Sequence, residues 1–196
     1  PAAPPPSEGP FSLWDNGVPT GAVLSHGDFG SVETGVRFRS DVSGYITGLK
    51  FYKISTNAGP HRGRLWTPAG TELGSVTFAN ETASGWQEAP FDSPIPITAN
   101  TAYIASYYSP QGQYIFTGGY FNTEYTNTPL HAFQNGVQGG NGLYQYASGG
   151  GFPTNTFNAT NYWVDVVFVT ALPQDEIPPT VISVEPPQAG VDVHPT

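Results

Sequence analysis

The residues able to do acid–base work are few. Within residues 11–171 the carboxylates are Asp15, Asp28, Glu33, Asp41, Glu72, Glu81, Glu88, Asp92, Glu124 and Asp165. A glycosidase needs two carboxyl groups facing one glycosidic bond at a matched separation, and no local motif singles out such a pair. Neither a G-x-S-x-G elbow nor an H-E-x-x-H helix occurs, so the two commonest hydrolase signatures are missing. The residues favour a non-catalytic role, with a glycan-active enzyme as the outside alternative.

Asp165 is the most conspicuous charge, because it interrupts the apolar run Val164-Asp165-Val166-Val167-Phe168-Val169. A buried ionised carboxylate has to be paired or metal-bound. Strand alternation places it on the face of Trp163, so that face carries a ligand or ion site or is partly solvated. Oxygen ligands point to calcium, with Glu33 and Asp165 as candidate ligands. A salt bridge from Asp165 to Arg37 or Arg39 accounts for the charge equally well, and no D-x-D-x-D-G loop is present.

Aromatic residues offer the richer chemistry. A sugar ring presents C–H faces that stack on flat side chains, while its hydroxyls need polar neighbours. Trp66, Trp86, Tyr107, Tyr108, Tyr120, Phe121, Tyr144 and Tyr146 fall at expected strand ends or in long loops. Of these, Trp66, Trp86, Tyr108, Tyr120 and Tyr144 are the candidate ligand-binding residues. The competing reading is packing, since a chain without Met or Cys must fill its core with aromatic and branched side chains. Adjacent strand residues face opposite sides, so Tyr107 and Tyr108 cannot both join the core from one face. His61 and His131 are candidate contacts to sugar hydroxyls, each also readable as a structural hydrogen-bonding group. His26 and His194 are weaker candidates.

All six basic residues, Arg37, Arg39, Lys50, Lys53, Arg62 and Arg64, lie in one window of a chain with formal net charge −9. Binding to a nucleic acid backbone requires Lys and Arg, so nucleic acid is not an expected partner, nor is an anionic membrane surface. No apolar run approaches the roughly 18 residues of a membrane helix, and membrane insertion is not expected. Arg37 and Arg39, with Lys50 and Lys53, form either a basic stripe for an acidic polysaccharide or solvent-facing charges that protect a sheet edge. The absence of cysteine rules out disulfides and thiolate metal sites.

The elements that must position these groups are strands. Gly 24 and Pro 20 among 196 residues, with 14% aromatics, favour many short strands joined by turns. Expected strands cover 33–38, 45–52, 62–66, 72–78, 86–91, 95–97 and 102–108. The first two are expected to pair, and Thr67-Pro68-Ala69-Gly70 closes a hairpin between the next two. Residues 109–160 loosen into Gly- and Asn-rich loops with short strands at 114–117, 130–133 and 143–146; loops this long are commonly functional. Residues 161–169 form a final apolar strand, expected at a sheet centre. The regular spacing predicts an all-β fold, a jelly-roll-like β-sandwich of antiparallel strands. It spans residues 11–171, between a Pro-rich tether at 1–10 and a linker at 172–179.

Several stretches resemble the bacterial domain family DUF4082. They are Thr34-Gly35-Val36-Arg37-Phe38-Arg39-Ser40-Asp41, Ile46-Thr47-Gly48-Leu49-Lys50-Phe51-Tyr52-Lys53, Gly63-Arg64-Leu65-Trp66, Asn80-Glu81-Thr82-Ala83-Ser84-Gly85-Trp86-Gln87, Pro129-Leu130-His131-Ala132 and Asn161-Tyr162-Trp163-Val164-Asp165-Val166-Val167-Phe168. The resemblance covers roughly residues 12–170. Ile177-Pro178-Pro179-Thr180-Val181-Ile182-Ser183-Val184-Glu185-Pro186 resembles the first strand of a bacterial immunoglobulin-like (Ig-like) domain, which 180–196 would begin. The resemblance implies a large secreted or cell-surface multidomain protein with sugar-active or adhesive neighbours, and no reaction. The expected function is therefore a non-catalytic accessory module that binds a polysaccharide or cell-surface glycan. A structural or adhesive spacer is the alternative.

Overall fold

The computed structural model describes residues 9–25 and 30–172. His26, Asp28 and His194, the tether before Gly9, and all but the first residue of the 172–179 linker lie outside the described residues. So does the 180–196 segment read as the start of an Ig-like domain.

The fold is all-β and antiparallel. Its strands are β1 (Val23–Leu24), β2 (Val32–Ser40), β3 (Gly44–Lys53), β4 (Arg62–Trp66), β5 (Glu72–Thr77), β6 (Gly85–Ile97), β7 (Tyr103–Ser109), β8 (Ile115–Phe116), β9 (Tyr125–Asn127), β10 (Leu130–Ala132), β11 (Leu143–Tyr146), β12 (Asn155–Thr156) and β13 (Val164–Val169). One sheet runs β12-β11-β2-β7-β4-β5, with β10 and β9 beside the far half of β2; the other runs β13-β3-β6; β1 and β8 form a separate ribbon. Large apolar side chains of both sheets meet between them, including Phe38, Tyr107, Leu49, Phe51, Val166 and Phe168. Phe51 from the small sheet stacks on Tyr107 from the large one at 4.3 Å between ring centroids. None of the described helical segments is long and apolar enough to cross a membrane.

The hairpin over Thr67–Gly70 forms as expected: Arg62 pairs with Thr77 and Leu65 with Gly74. Three expectations are corrected. First, β2 and β3 do not pair with each other, because β2 lies between β7 and the β10/β11 edge, and β3 between β13 and β6. Neighbouring strands that bury one face each show the same alternation whether they share a sheet or oppose each other across the core. Second, the segments at 86–91 and 95–97 are one strand, β6, which continues through a register shift opposite Ile46–Gly48. Pro90, Pro94 and Pro96 are tolerated because β6 is an edge strand.

Third, β13 is an edge strand of the small sheet, not a central one. It is apolar because the N-terminal segment covers it. Phe11 and Phe168 exchange backbone hydrogen bonds of 2.7 and 2.9 Å, and Leu13 and Trp14 follow, both buried. Burial on both sides without a full neighbouring strand reads in sequence like a sheet centre.

Candidate functional site

Five of the eleven aromatic residues between 114 and 162 meet at one pocket. It is lined by Tyr114, Tyr144, Tyr146, Phe157 and Tyr162 and has a volume of about 210 Å³. Tyr144 and Tyr146 project from one face of β11, two residues apart, with ring centroids 5.5 Å apart at 70°. Their strand is fixed by pairing with β2, Tyr144 opposite Thr34 and Tyr146 opposite Val32. Tyr114 and Tyr162 meet edge to face at 5.5 Å. Thr117 and Asn161 hold them together by two backbone hydrogen bonds of 2.9 Å.

Gly142 closes this arrangement. Its φ is +76°, and a Cβ there would run into the backbone of Thr160, so only glycine lets the 157–160 segment lie against the start of β11. Phe157 remains 62% exposed and Tyr146 45% exposed at this pocket, whereas an aromatic ring serving only as core would be covered. The pocket therefore presents aromatic walls that carry polar as well as apolar surface and are partly open to solvent.

Tyr144 and Tyr146, both expected from sequence among the aromatics at strand ends or in long loops, are brought together by the structure. Tyr114, Phe157 and Tyr162 are not among those expected. Phe157 did carry a signal: it is an isolated large ring within Thr154-Asn155-Thr156-Phe157-Asn158-Ala159-Thr160, a polar stretch with nothing local to bury it.

The remaining candidates are occupied elsewhere. Trp66 is buried, not displayed for a ligand; it packs on Phe152 and donates from Nε1 to Ser106 Oγ at 2.8 Å. Tyr108 is half-buried on the opposite face of β7 from Tyr107, as alternation required, and its hydroxyl accepts from the Gly149 N–H at 3.0 Å. Half-buried Trp86 donates to the Gly17 carbonyl at 3.0 Å and lies beside Tyr52. Half-buried Tyr120 packs among Trp14, Tyr125 and Trp163.

His61 is fully buried. Its Nδ1 lies 2.8 Å from Glu81, and its Nε2 2.8 Å from Asn57 Oδ1. Burial lowers its pKa, outweighing the attraction of Glu81, so the neutral ring is favoured, donating from Nδ1 to Glu81. The Asn57 amide nitrogen and Tyr107 hydroxyl are buried without partners as placed. Turning the amide over gives His61 Nε2 a donor, with the amide oxygen in the nitrogen's former position beside the Tyr107 phenol. His131, 7% exposed, is held by Asp41 at 2.7 Å and by Thr126 and Glu124 at 3.0 and 3.2 Å. The hydrogen bond from His131 is the main reason Asp41 titrates below the usual aspartate range.

Glu33 and Asp165 lie in different sheets, each fully buried with its own partners. Glu33 accepts from Ser106 Oγ at 2.6 Å and from Arg64. Gly151 closes above it at 3.4 Å. Burial raises Glu33 to about 7 despite these partners. Asp165 accepts from the backbone nitrogens of Leu13, Trp14 and Val166 at 2.6, 3.2 and 2.7 Å. Its cation is Lys50 at 3.8 Å, not Arg37 or Arg39, and burial raises it to about 6. The face of Asp165 is thus neither solvated nor open, because the N-terminal segment roofs it. Among the described residues no group of three or more His, Asp or Glu side chains is gathered as a metal site would need.

The basic residues form no common stripe. Arg37 and Arg39 lie on β2 and Lys50 and Lys53 on β3, in different sheets. Arg39 pairs with Asp41 and Glu124, Lys53 with Glu81, Arg62 with Glu72, and Arg64 with Glu33 and Glu72. Arg37 donates to the Gly140 carbonyl.

No curated protein matches this chain. The family model described as a domain of unknown function, DUF4082, matches residues 17–164, and the chain belongs to that family.

Proposed function

We propose that this domain is a non-catalytic accessory module that binds carbohydrate through the pocket of Tyr114, Tyr144, Tyr146, Phe157 and Tyr162. The observation that supports this most directly is the exposure of Phe157 and Tyr146 beside three further rings in one concave site. Exposed rings in a pocket are what a sugar C–H face stacks on, and a solvent-facing phenylalanine has no packing reason to be there. A secreted or cell-surface setting, with an Ig-like neighbour after residue 180, belongs to the same reading. It rests on composition and on the resemblance of 177–186.

The test is affinity electrophoresis or a glycan array with wild type and Phe157→Ala. Selective retention that Phe157→Ala abolishes supports the reading. Absence of binding to any neutral or acidic glycan at millimolar concentration removes it. The alternative, a structural or adhesive spacer, is favoured by the burial of Trp66 and by the internal partners of His61 and His131. Calcium binding is a separable proposal that rests only on a composition rich in oxygen ligands and free of thiolates, since Glu33 and Asp165 do not share a site. An ion bound only by the folded state raises the melting temperature, so a transition unmoved by chelator removes it.

A further inference from the structure

We infer that the aromatic pocket takes a single uncharged sugar ring and discriminates against uronic acids and sulfated sugars. This rests on the carbohydrate reading above and narrows its ligand class.

The first argument is charge. Among the described residues all five that line the pocket are uncharged aromatics from 114–162, and no Lys or Arg occurs after Arg64. Recognition of a carboxylate or sulfate uses Arg or Lys in charge-assisted hydrogen bonds. The cations this chain does have are engaged: five of the six are ion-paired, and Arg37 is bonded to the Gly140 carbonyl. Recruiting one for a ligand would leave a carboxylate behind, and for Glu33 or Asp165 a fully buried one. The formal charge of −9 adds repulsion against a polyanion.

The second argument is size. At about 210 Å³ the pocket is smaller than the roughly 300–1,000 Å³ of sites that enclose drug-sized ligands. One pyranose ring is a suitable occupant, as a chain end or a side branch, with the rest of a polymer outside. So few ligand atoms give weak binding, in the millimolar range for an isolated monosaccharide. Useful retention would therefore depend on many sites along a polymer.

The experiment is affinity electrophoresis of wild type, Tyr144→Ala and Phe157→Ala in gels carrying a neutral β-glucan, a galactomannan, polygalacturonate or alginate, at low and high salt. Folding of each variant is checked by its thermal transition. Retardation by a neutral polymer, insensitive to salt, absent with both acidic polymers and lost in both variants, is the expected result. Retardation by an acidic polymer that weakens at least tenfold in the variants overturns the neutral-ligand inference and leaves carbohydrate binding standing. Neutral-polymer retardation that survives both substitutions places binding outside this pocket and overturns the inference. No retardation in any gel removes the inference and the carbohydrate reading together.

Discussion

Asp165 Oδ1 accepts a hydrogen bond from the backbone nitrogen of Leu13 at 2.6 Å, joining β13 to a segment 152 residues earlier. The same carboxylate accepts from Trp14, and the Trp14 indole donates to the Val164 carbonyl at 2.8 Å. One acidic side chain thereby takes the place of a neighbouring strand, satisfying N–H groups that would otherwise be buried unpaired. It also lets Trp14 pack against Trp163 and Tyr125.

Replacing this carboxylate exposes its role. Asp165→Ala leaves two N–H groups of the N-terminal segment without their acceptor and the buried Lys50 ammonium, which keeps its hydrogen bond to Asn16 Oδ1 at 2.5 Å, without its counter-ion. The expected loss is about 3 kcal/mol, read as a lower denaturant midpoint, with faster amide exchange at Leu13 and Trp14. A variant within about 0.5 kcal/mol of wild type would show that the segment is held by packing alone.

Glu33 and Asp165 set a pH dependence whose sign is fixed. Their folded values of about 7 and about 6 lie above their ordinary values of 4.5 and 3.8. Between those limits the native state holds protons that the unfolded chain has released, so these groups favour folding at the acid end, and that contribution is lost as pH rises through about 4 to 7. Asp41 and Glu81 act the other way. Both are lowered, Asp41 chiefly by His131, and Glu81 by Lys53 and His61 against the opposing effect of burial. Their contribution is present above their ordinary values and lost as acid protonates them. The expected measurement is a difference: from pH 5 to 7.5 wild type loses on the order of 2 kcal/mol relative to Glu33→Gln. Parallel curves would mean that Glu33 titrates normally.

His61 is expected to remain neutral below the ordinary histidine value of 6.5. The unfolded chain then binds the extra proton, so stability attributable to His61 falls as pH drops below about 6.5. Nitrogen-15 NMR of the ring should show a single tautomer carrying its proton on Nδ1, toward Glu81. A ring that titrates near 6.5 with both nitrogens averaging contradicts this arrangement.

Trp66 and Phe157 should separate stability from binding. Trp66→Ala opens a cavity against Phe152, Ile104 and Leu143 and is expected to cost about 3–5 kcal/mol. Phe157→Ala, at an exposed ring, should change stability by less than about 0.5 kcal/mol while reducing retention by a neutral glycan. Equal destabilisation by the two substitutions would mean that Phe157 is packed, and would undercut the pocket as a binding site.

Local sequence determined the class of fold and most strand positions. Burial follows strand alternation along 44–48 and 87–92, whereas 32–36 and 63–66 are buried on both faces, and the Thr67–Gly70 turn sets its hairpin within a few residues. Alternation says nothing about which other strand covers a buried face, so the split of β2 and β3 between sheets was not legible. Neither was the edge position of β13. The same limit governed the candidate site. Composition showed that aromatics must do both packing and any binding, but a ring in a loop reads alike in either role. Tertiary structure assigned Trp66 to a second small core and left Phe157 exposed beside Tyr146. It also gave Asp165 the backbone donors of Leu13 and Trp14 and the cation of Lys50, because those partners lie more than a hundred residues away or across a strand pairing that no local pattern encodes.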